Sequence, residues 1–239
     1  EKEKELRNII NIASVQNKKL LNFAHIVSHN LRSHSANFSM LLNFLDNEKD
    51  EDEKKNIIGM LTQASNNLLE TLDNLNEVVS INTNTNIEIK EINLNDKVVD
   101  ATKNLSAFIS NSKAKVKNNI PVDFSVKSVP AYLDSILTNF ITNAVKYRDP
   151  ERESFVVLSA EKKGDYSILT ITDNGLGIDL EKYGEKLFGM YKTFHDHKDA
   201  RGIGLYLTKN QIDAMNGKVE VTSEIGKGTE FKIFFNEKN

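Results

Sequence analysis

The sequence predicts an α+β protein: an N-terminal two-helix hairpin dimerising into a four-helix bundle, followed by an α/β sandwich. Three observations carry this. From Lys4 to Leu45 there is no Pro or Gly, and Ile9, Ile12, Leu20, Phe23, Val27, Leu31, Phe38, Leu41 and Leu45 recur at helical spacing. A second helical stripe, Ile57, Leu61, Ala64, Leu68, Leu72, Leu75 and Val79, follows a charged break from Asp46 to Glu53. Beyond Lys90 the period changes, and short β-rich runs mix with shorter helices without βαβ alternation, which points to a sandwich.

Taken in order, the first helix is too long to stand alone in water, so it must pack along its length. The second runs from about Lys54 to Ser80, and the polar loop between them makes an αα-hairpin. Such a hairpin has too little core by itself, and pairing with a second copy supplies the rest. This organises residues 1–80 as a dimerisation domain, 81–86 as an Asn- and Thr-rich linker, and 87–239 as a second domain. There, Leu94 to Ser110 reads as a helix and Lys115 to Val126 as two short strands around Pro121. Ala131 to Tyr147 is a helix. Ser154 to Ala160 and Tyr166 to Thr172 are strands joined by the turn Lys163-Gly164-Asp165. A glycine-broken stretch from Asp173 to Gly204 leads to a helix of about Leu205 to Met215. Lys218 to Ser223 and Thr229 to Phe235 close the chain as a hairpin.

Composition removes several function classes. The net charge is −3 with Lys and Glu interspersed, which gives no basis for a nucleic-acid partner. There is no cysteine, hence no disulfide framework and no thiolate zinc site, in keeping with a reducing, cytoplasmic setting. No apolar run of about 18 residues exists, so no membrane contact is expected from this stretch. The chain starts at Glu1 without Met and reads as a piece of something longer.

Chemistry concentrates in three places. In LTNFITNAVKYR, Leu137 to Arg148, a helix sets Asn139 and Asn143 one turn apart, with Lys146 three residues on. Carboxamide oxygens suit a hard cation and an ammonium suits phosphate, although paired Asn residues also suit a plain solvent face. Asp173-Asn174-Gly175-Leu176-Gly177 follows a strand, where Gly permits close backbone approach and Asp can accept from an adenine amino group. The alternative there is a simple turn. Gly202-Ile203-Gly204-Leu205 opens a helix, whose free N–H groups and positive dipole end favour phosphate.

In order, NFITNAVKYR, DNGLGID, LFGMYKTF and GIGLYL resemble the N, G1, F and G2 boxes of sensor histidine kinases. GKGTEFKIFF resembles the family's closing hairpin, and FAHIVSHNLRS its H box. The resemblance covers nearly the whole chain. It implies a protein histidine kinase, with a sensor domain upstream in the full-length protein, that uses ATP and Mg2+, phosphorylates itself on His29 and passes the phosphoryl group to an Asp of a response regulator. It further implies Asn143 as the magnesium ligand with Asn139 beside it, and Lys146 and Tyr147 at the nucleotide-facing helix end. Asp173 would read adenine, with Gly175 and Gly177 shaping its loop. Gly202, Gly204 and Leu205 would lie near the phosphates and Thr229 near the base, while Phe188 and Phe194 would flank a short lid. Two departures stand out: Asn30 replaces the usual acidic residue after the phosphoacceptor, and His34 the usual Pro. Ser33 occupies the position that assists regulator dephosphorylation. His25 and His34 read as surface or seam residues, and His195 and His197 fall in the lid without a zinc site. The alternatives are a degenerate kinase acting as a nucleotide-binding signalling scaffold, or the same ATP-binding fold as used in chaperones and topoisomerases.

Overall fold

The computed structural model describes residues 2–83, 88–189 and 202–238, and the chain divides into two units, Glu1–Glu77 and Val78–Asn239. The first is built from helix α1 (Lys2–Asn47) and helix α2, which runs Glu51–Thr83. Only Glu48, Lys49 and Asp50 separate them, a tighter break than the charged run suggests. Asp50 explains the restart: its Oδ1 accepts the backbone N–H groups of Asp52 (2.9 Å) and Glu53 (3.0 Å). Those are orphan donors of a new helix, and acidic Glu51, Asp52 and Glu53 complement its dipole. α2 continues three residues past Ser80, where the sequence reading ends it.

Packing along α2 follows a seven-residue step. Ile57, Ala64, Thr71 and Val78 are all buried, the seam of a coiled coil. Leu41, Ile57 and Ala64 form a small core, with Phe38, Leu45 and Leu61 against it. Leu72 and Val79, placed on the stripe by the sequence reading, are exposed. A 3.5-residue seam drifts away from a 3.6-residue stripe, so residues one place beyond the heptad turn outward. Ile9 and Leu31 are exposed too, and the side chains of Ile12 and Leu20 lie outside the described residues. One polar rung crosses the seam. Thr71 Oγ1 donates to Asn67 O (2.8 Å) and meets His34 Nε2 at 3.2 Å. Since the hydroxyl proton is spent on the carbonyl, His34 Nε2 is the donor across the seam.

The second unit has a two-stranded sheet, β1 (Lys90–Asn93) with β3 (Ser125–Ser128), antiparallel. Its main sheet comprises β2 (Lys115–Asn118), β4 (Phe155–Lys163), β5 (Tyr166–Asp173), β6 (Lys218–Glu224) and β7 (Gly228–Asn236), in the order β2-β4-β5-β7-β6. The helices are α3 (Leu94–Asn104), α4 (Ser106–Asn111), α5 (Pro130–Lys146), α6 (Leu180–Tyr183) and α7 (Gly204–Ala214). Alternation puts Val156 and Leu158 of β4, Leu169 and Ile171 of β5, and Phe231, Ile233 and Phe235 of β7 into one core. α5 lays Leu133, Ile136, Leu137, Phe140, Ile141, Ala144 and Val145 into the same core. Fully burying a side chain such as Phe140 contributes about 1.5–3 kcal/mol, and its ring sits 4.7 Å from that of Phe231.

Two expectations are corrected. β2 pairs with β4 in parallel, so the expectation of strands and helices without βαβ alternation fails here: the chain leaves β2, makes β3 and α5, and returns beside β2. A parallel partner demands such a crossover. The helix expected over Leu94 to Ser110 is divided at Leu105, whose backbone (φ −91°, ψ 6°) leaves the helical region. Leu105 packs against the core, and no Gly or Pro marks the bend.

Among the described residues no helix is long and apolar enough to cross a membrane.

Candidate functional site

Asp173 closes β5 opposite Thr229 of β7. Its Oδ1 accepts the N–H of Gly175 (2.7 Å) and of Thr229 (3.3 Å). Burial pushes the carboxyl up from its ordinary value to about 6, while those N–H groups and the charge of Arg152 pull the other way. The loop after it is clamped from two sides. Leu176 donates its N–H to Tyr147 O (2.9 Å) at the end of α5, and Gly226 donates to Leu176 O (2.7 Å) from the β6–β7 turn. Gly175 is needed because a Cβ would lie 2.5 Å from Tyr147 O. Gly177 takes φ +71°, and a Cβ there would collide with Glu224 O.

From α5, Asn139 and Asn143 face the same side. Asn143 Nδ2 donates to Asn139 Oδ1 (3.2 Å), and Asn139 Nδ2 donates to Thr208 Oγ1 of α7. A Cβ on Gly204, the first residue of α7, would collide with Asn139 Oδ1, so this glycine lets the two helices meet at the carboxamide. Lys146 Nζ lies 5.6 Å from the ring centroid of Tyr147, whose phenol is raised by burial. Gly202 adopts φ +66° just before α7, and Leu205 packs against the core. Thr229 serves Asp173 through its backbone, while its hydroxyl meets Ser223 Oγ at 2.9 Å. Ser223 also accepts from Ile178 N (2.8 Å) and donates to Gly228 O (2.9 Å).

The structure thus gathers Asp173, Gly175, Gly177, Tyr147 and Thr229 around one loop, and Asn139, Asn143 and Gly204 around one helix contact. Sequence reasoning missed four contributors. Arg152 Nη2 holds Gly175 O (2.7 Å). Asn174 bonds Phe155 N (2.9 Å) and Glu153 O (2.8 Å). Ser223 and Thr208 complete the set. Of these, Asn174 lies inside the quoted motif that begins at Asp173.

On α1, His29 and Ser33 are exposed one turn apart. Asn30 is half-buried, and its Nδ2 is buried without a partner among the described residues. His25 is exposed, while His34 is the half-buried seam residue described above. Phe188 packs against the core. Phe194, His195 and His197 lie outside the described residues.

A magnesium ion fits this donor set only in company with phosphate. Among the described residues no group of three or more His, Cys, Asp and Glu could hold a metal. Asn143, donating through Nδ2, keeps its oxygen for a hard cation, which takes few protein ligands and fills its shell from phosphates and water.

Residues 128–239 match the family model described as Histidine kinase-, DNA gyrase B-, and HSP90-like ATPase. The aerobic respiration control sensor protein ArcB of Escherichia coli (strain K12) is 29% identical across 88% of this chain and 28% of its own length. The autoinducer 2 sensor kinase/phosphatase LuxQ of Vibrio vulnificus is 26% identical across 90% of this chain and 26% of its own. The chain therefore spans between a quarter and a third of these curated relatives. Among solved structures, the Acinetobacter baumannii histidine kinase AdeS superposes with a TM-score of 0.69 at 20% identity, over 88% of this chain and 98% of that one. Histidine kinase ThkA, solved in complex with response regulator protein TrrA, also gives 0.69, at 17% identity over 88% and 60%. At these identities the structural matches establish the fold.

Proposed function

We propose that this chain, whose residues 128–239 match the model described as Histidine kinase-, DNA gyrase B-, and HSP90-like ATPase, is the catalytic core of a sensor histidine kinase. ATP is bound in the second unit, His29 is phosphorylated, and the phosphoryl group passes to an Asp of a response-regulator receiver domain. The observation that carries the reading is the pairing of a half-buried, backbone-anchored Asp173 with the Asn139–Asn143 carboxamides in one unit, while the other presents His29 to solvent.

Each residue has a physical task. Asp173, desolvated and held by two N–H groups, accepts a hydrogen bond from the adenine amino group. Gly175 and Gly177 keep that loop open to a planar base. Lys146 and the N-terminus of α7 place positive charge near the phosphates. Asn143, with Asn139 behind it, would hold magnesium, which when bound neutralises phosphate charge. A neutral imidazole nitrogen of His29 attacks the γ-phosphorus, forming an N–P bond as the bridging P–O bond to ADP breaks. Ser33, one turn on, is placed to reach the same phosphoryl group during regulator dephosphorylation.

Incubation with γ-labelled ATP and magnesium should yield acid-labile, base-stable label. Asn143→Ala should lose that label while keeping most nucleotide affinity, because the missing oxygen serves the cation. Nucleotide binding with no label in the parent protein would make the chain a nucleotide-binding scaffold instead.

The same reading makes the protein a homodimer through its first unit. Leu42, Phe44, Ile58, Leu69, Leu72 and Val79 are large, apolar and exposed on the hairpin. At about 25 cal/mol per Å² removed from water, half of a standard-size interface contributes about 20 kcal/mol before association costs. Sedimentation at micromolar concentration should show a dimer. A monomer overturns this part.

A further inference from the structure

Thr208 sits on α7, buried, and meets the proposed site through Asn139. Its hydroxyl decides which way two carboxamides point. The hydroxyl has one proton, and it is donated to Gly204 O at 2.9 Å, one turn back on the same helix. Thr208 Oγ1 can then only accept from Asn139, so Asn139 must present its NH2 to α7 and its oxygen to α5. Asn143, one turn along α5, meets that oxygen and must present its own NH2 to it (3.2 Å). Its carbonyl oxygen is the atom left over. The relay has a single polarity, set at Gly204 O and read out at Asn143 Oδ1. The close packing that Gly204 permits against Asn139 keeps it short.

We propose that Thr208 is a positioning residue for cation binding: through Asn139 it fixes the amide orientation of Asn143, so that an oxygen rather than an NH2 faces magnesium. This rests on the nucleotide-site reading above and goes beyond it. Without the hydroxyl, Asn139 can rotate about its terminal torsion, because no acceptor on α7 holds its NH2. Asn143 then loses its reason to keep the oxygen outward, and a share of molecules offers magnesium an amide NH2, which cannot bind it. Outer-shell partners of metal ligands are typically worth about 10–100-fold in metal affinity. The relay here runs through two amides, so the lower end is the expectation.

The test is a magnesium titration of the protein holding a fluorescent ATP analogue, followed by fluorescence and not by turnover. Thr208→Val removes the hydroxyl while keeping shape. It should raise the magnesium concentration for half-saturation about tenfold, with metal-free nucleotide affinity within about twofold of the parent. Thr208→Ser, which keeps the hydroxyl, should restore the parent value. Should Thr208→Val melt early, Thr208→Ala gives a second route to the same measurement, again judged against the Ser rescue. If Thr208→Val binds magnesium as the parent does, or Thr208→Ser is as impaired as Val, the relay is wrong and the site reading stands. If the parent itself shows no magnesium-dependent nucleotide binding, both are overturned.

Discussion

His29→Gln should yield no phosphoprotein at all, with His25 and His34 both intact. His34 cannot substitute. Its Nε2 is already the donor to Thr71 across the α1–α2 seam, and its half-buried ring would have to break that rung to reach a phosphorus atom. His25 is exposed, yet it stands one helical turn, about 6 Å, along the axis from His29. In-line phosphoryl transfer lives on positioning, and a misplacement of about 1 Å can cost about 10²-fold. A docking geometry set for His29 therefore leaves His25 silent. Labelled ATP, gel separation and acid treatment read the result directly, and His34→Gln should keep its label as the contrasting control. Label on His29→Gln would move the phosphoacceptor elsewhere and take the meaning of α1's exposed face with it.

Much of this molecule is written in its periodicities. The alternation in Phe231, Ile233 and Phe235 and the helical stripe of α5 bury as patterned, as do Ile57, Ala64 and Leu75 on α2. Asp173 and its glycines were legible as a strand end opening into a loop, and that is where they lie. What could not be read is whatever depends on a partner distant in sequence. Thr208 is 69 residues from Asn139, and nothing near it says which hydroxyl of α7 will meet α5. Arg152 looks like one surface charge among many until its guanidinium is seen on Gly175 O, 23 residues away. The parallel pairing of β2 with β4 escaped because four-residue strands carry too little pattern to fix their direction. The outward turn of Leu72 and Val79 escaped for a subtler reason. A 3.6-residue stripe and a 3.5-residue seam agree over two turns and separate over five.

Asp173→Asn should bind ATP about 10²-fold more weakly and yet be the more stable protein at neutral pH. The functional half follows from the anchoring. Oδ1 accepts from Gly175 and Thr229, so the substituted side chain keeps its oxygen there and turns its NH2 to the place where the second carboxylate oxygen stood. A donor then faces the adenine amino donor. Losing a hydrogen bond to a charged group while leaving donors opposed costs about 3 kcal/mol, hence the factor. The stability half follows from the carboxyl being raised from 3.8 to about 6, chiefly by burial. The folded state holds that proton more tightly than the unfolded one, so the favourable contribution is complete below the unfolded value near 3.8. It is lost as pH rises through about 6, leaving a half-buried carboxylate that costs at most about 3 kcal/mol at pH 7.5. Asparagine has no proton to lose and escapes that cost, at the expense of an NH2 that needs a partner. Chemical denaturation of the nucleotide-free protein at pH 7.5 should show the variant ahead, and the gap should close between pH 6 and pH 4. A variant that is less stable at pH 7.5, or a difference that ignores pH, would mean that the carboxylate is well solvated in the folded chain. Unchanged ATP affinity would mean that Asp173 does not read the base. The two measurements fail independently, which separates an error in the electrostatics from an error in the site.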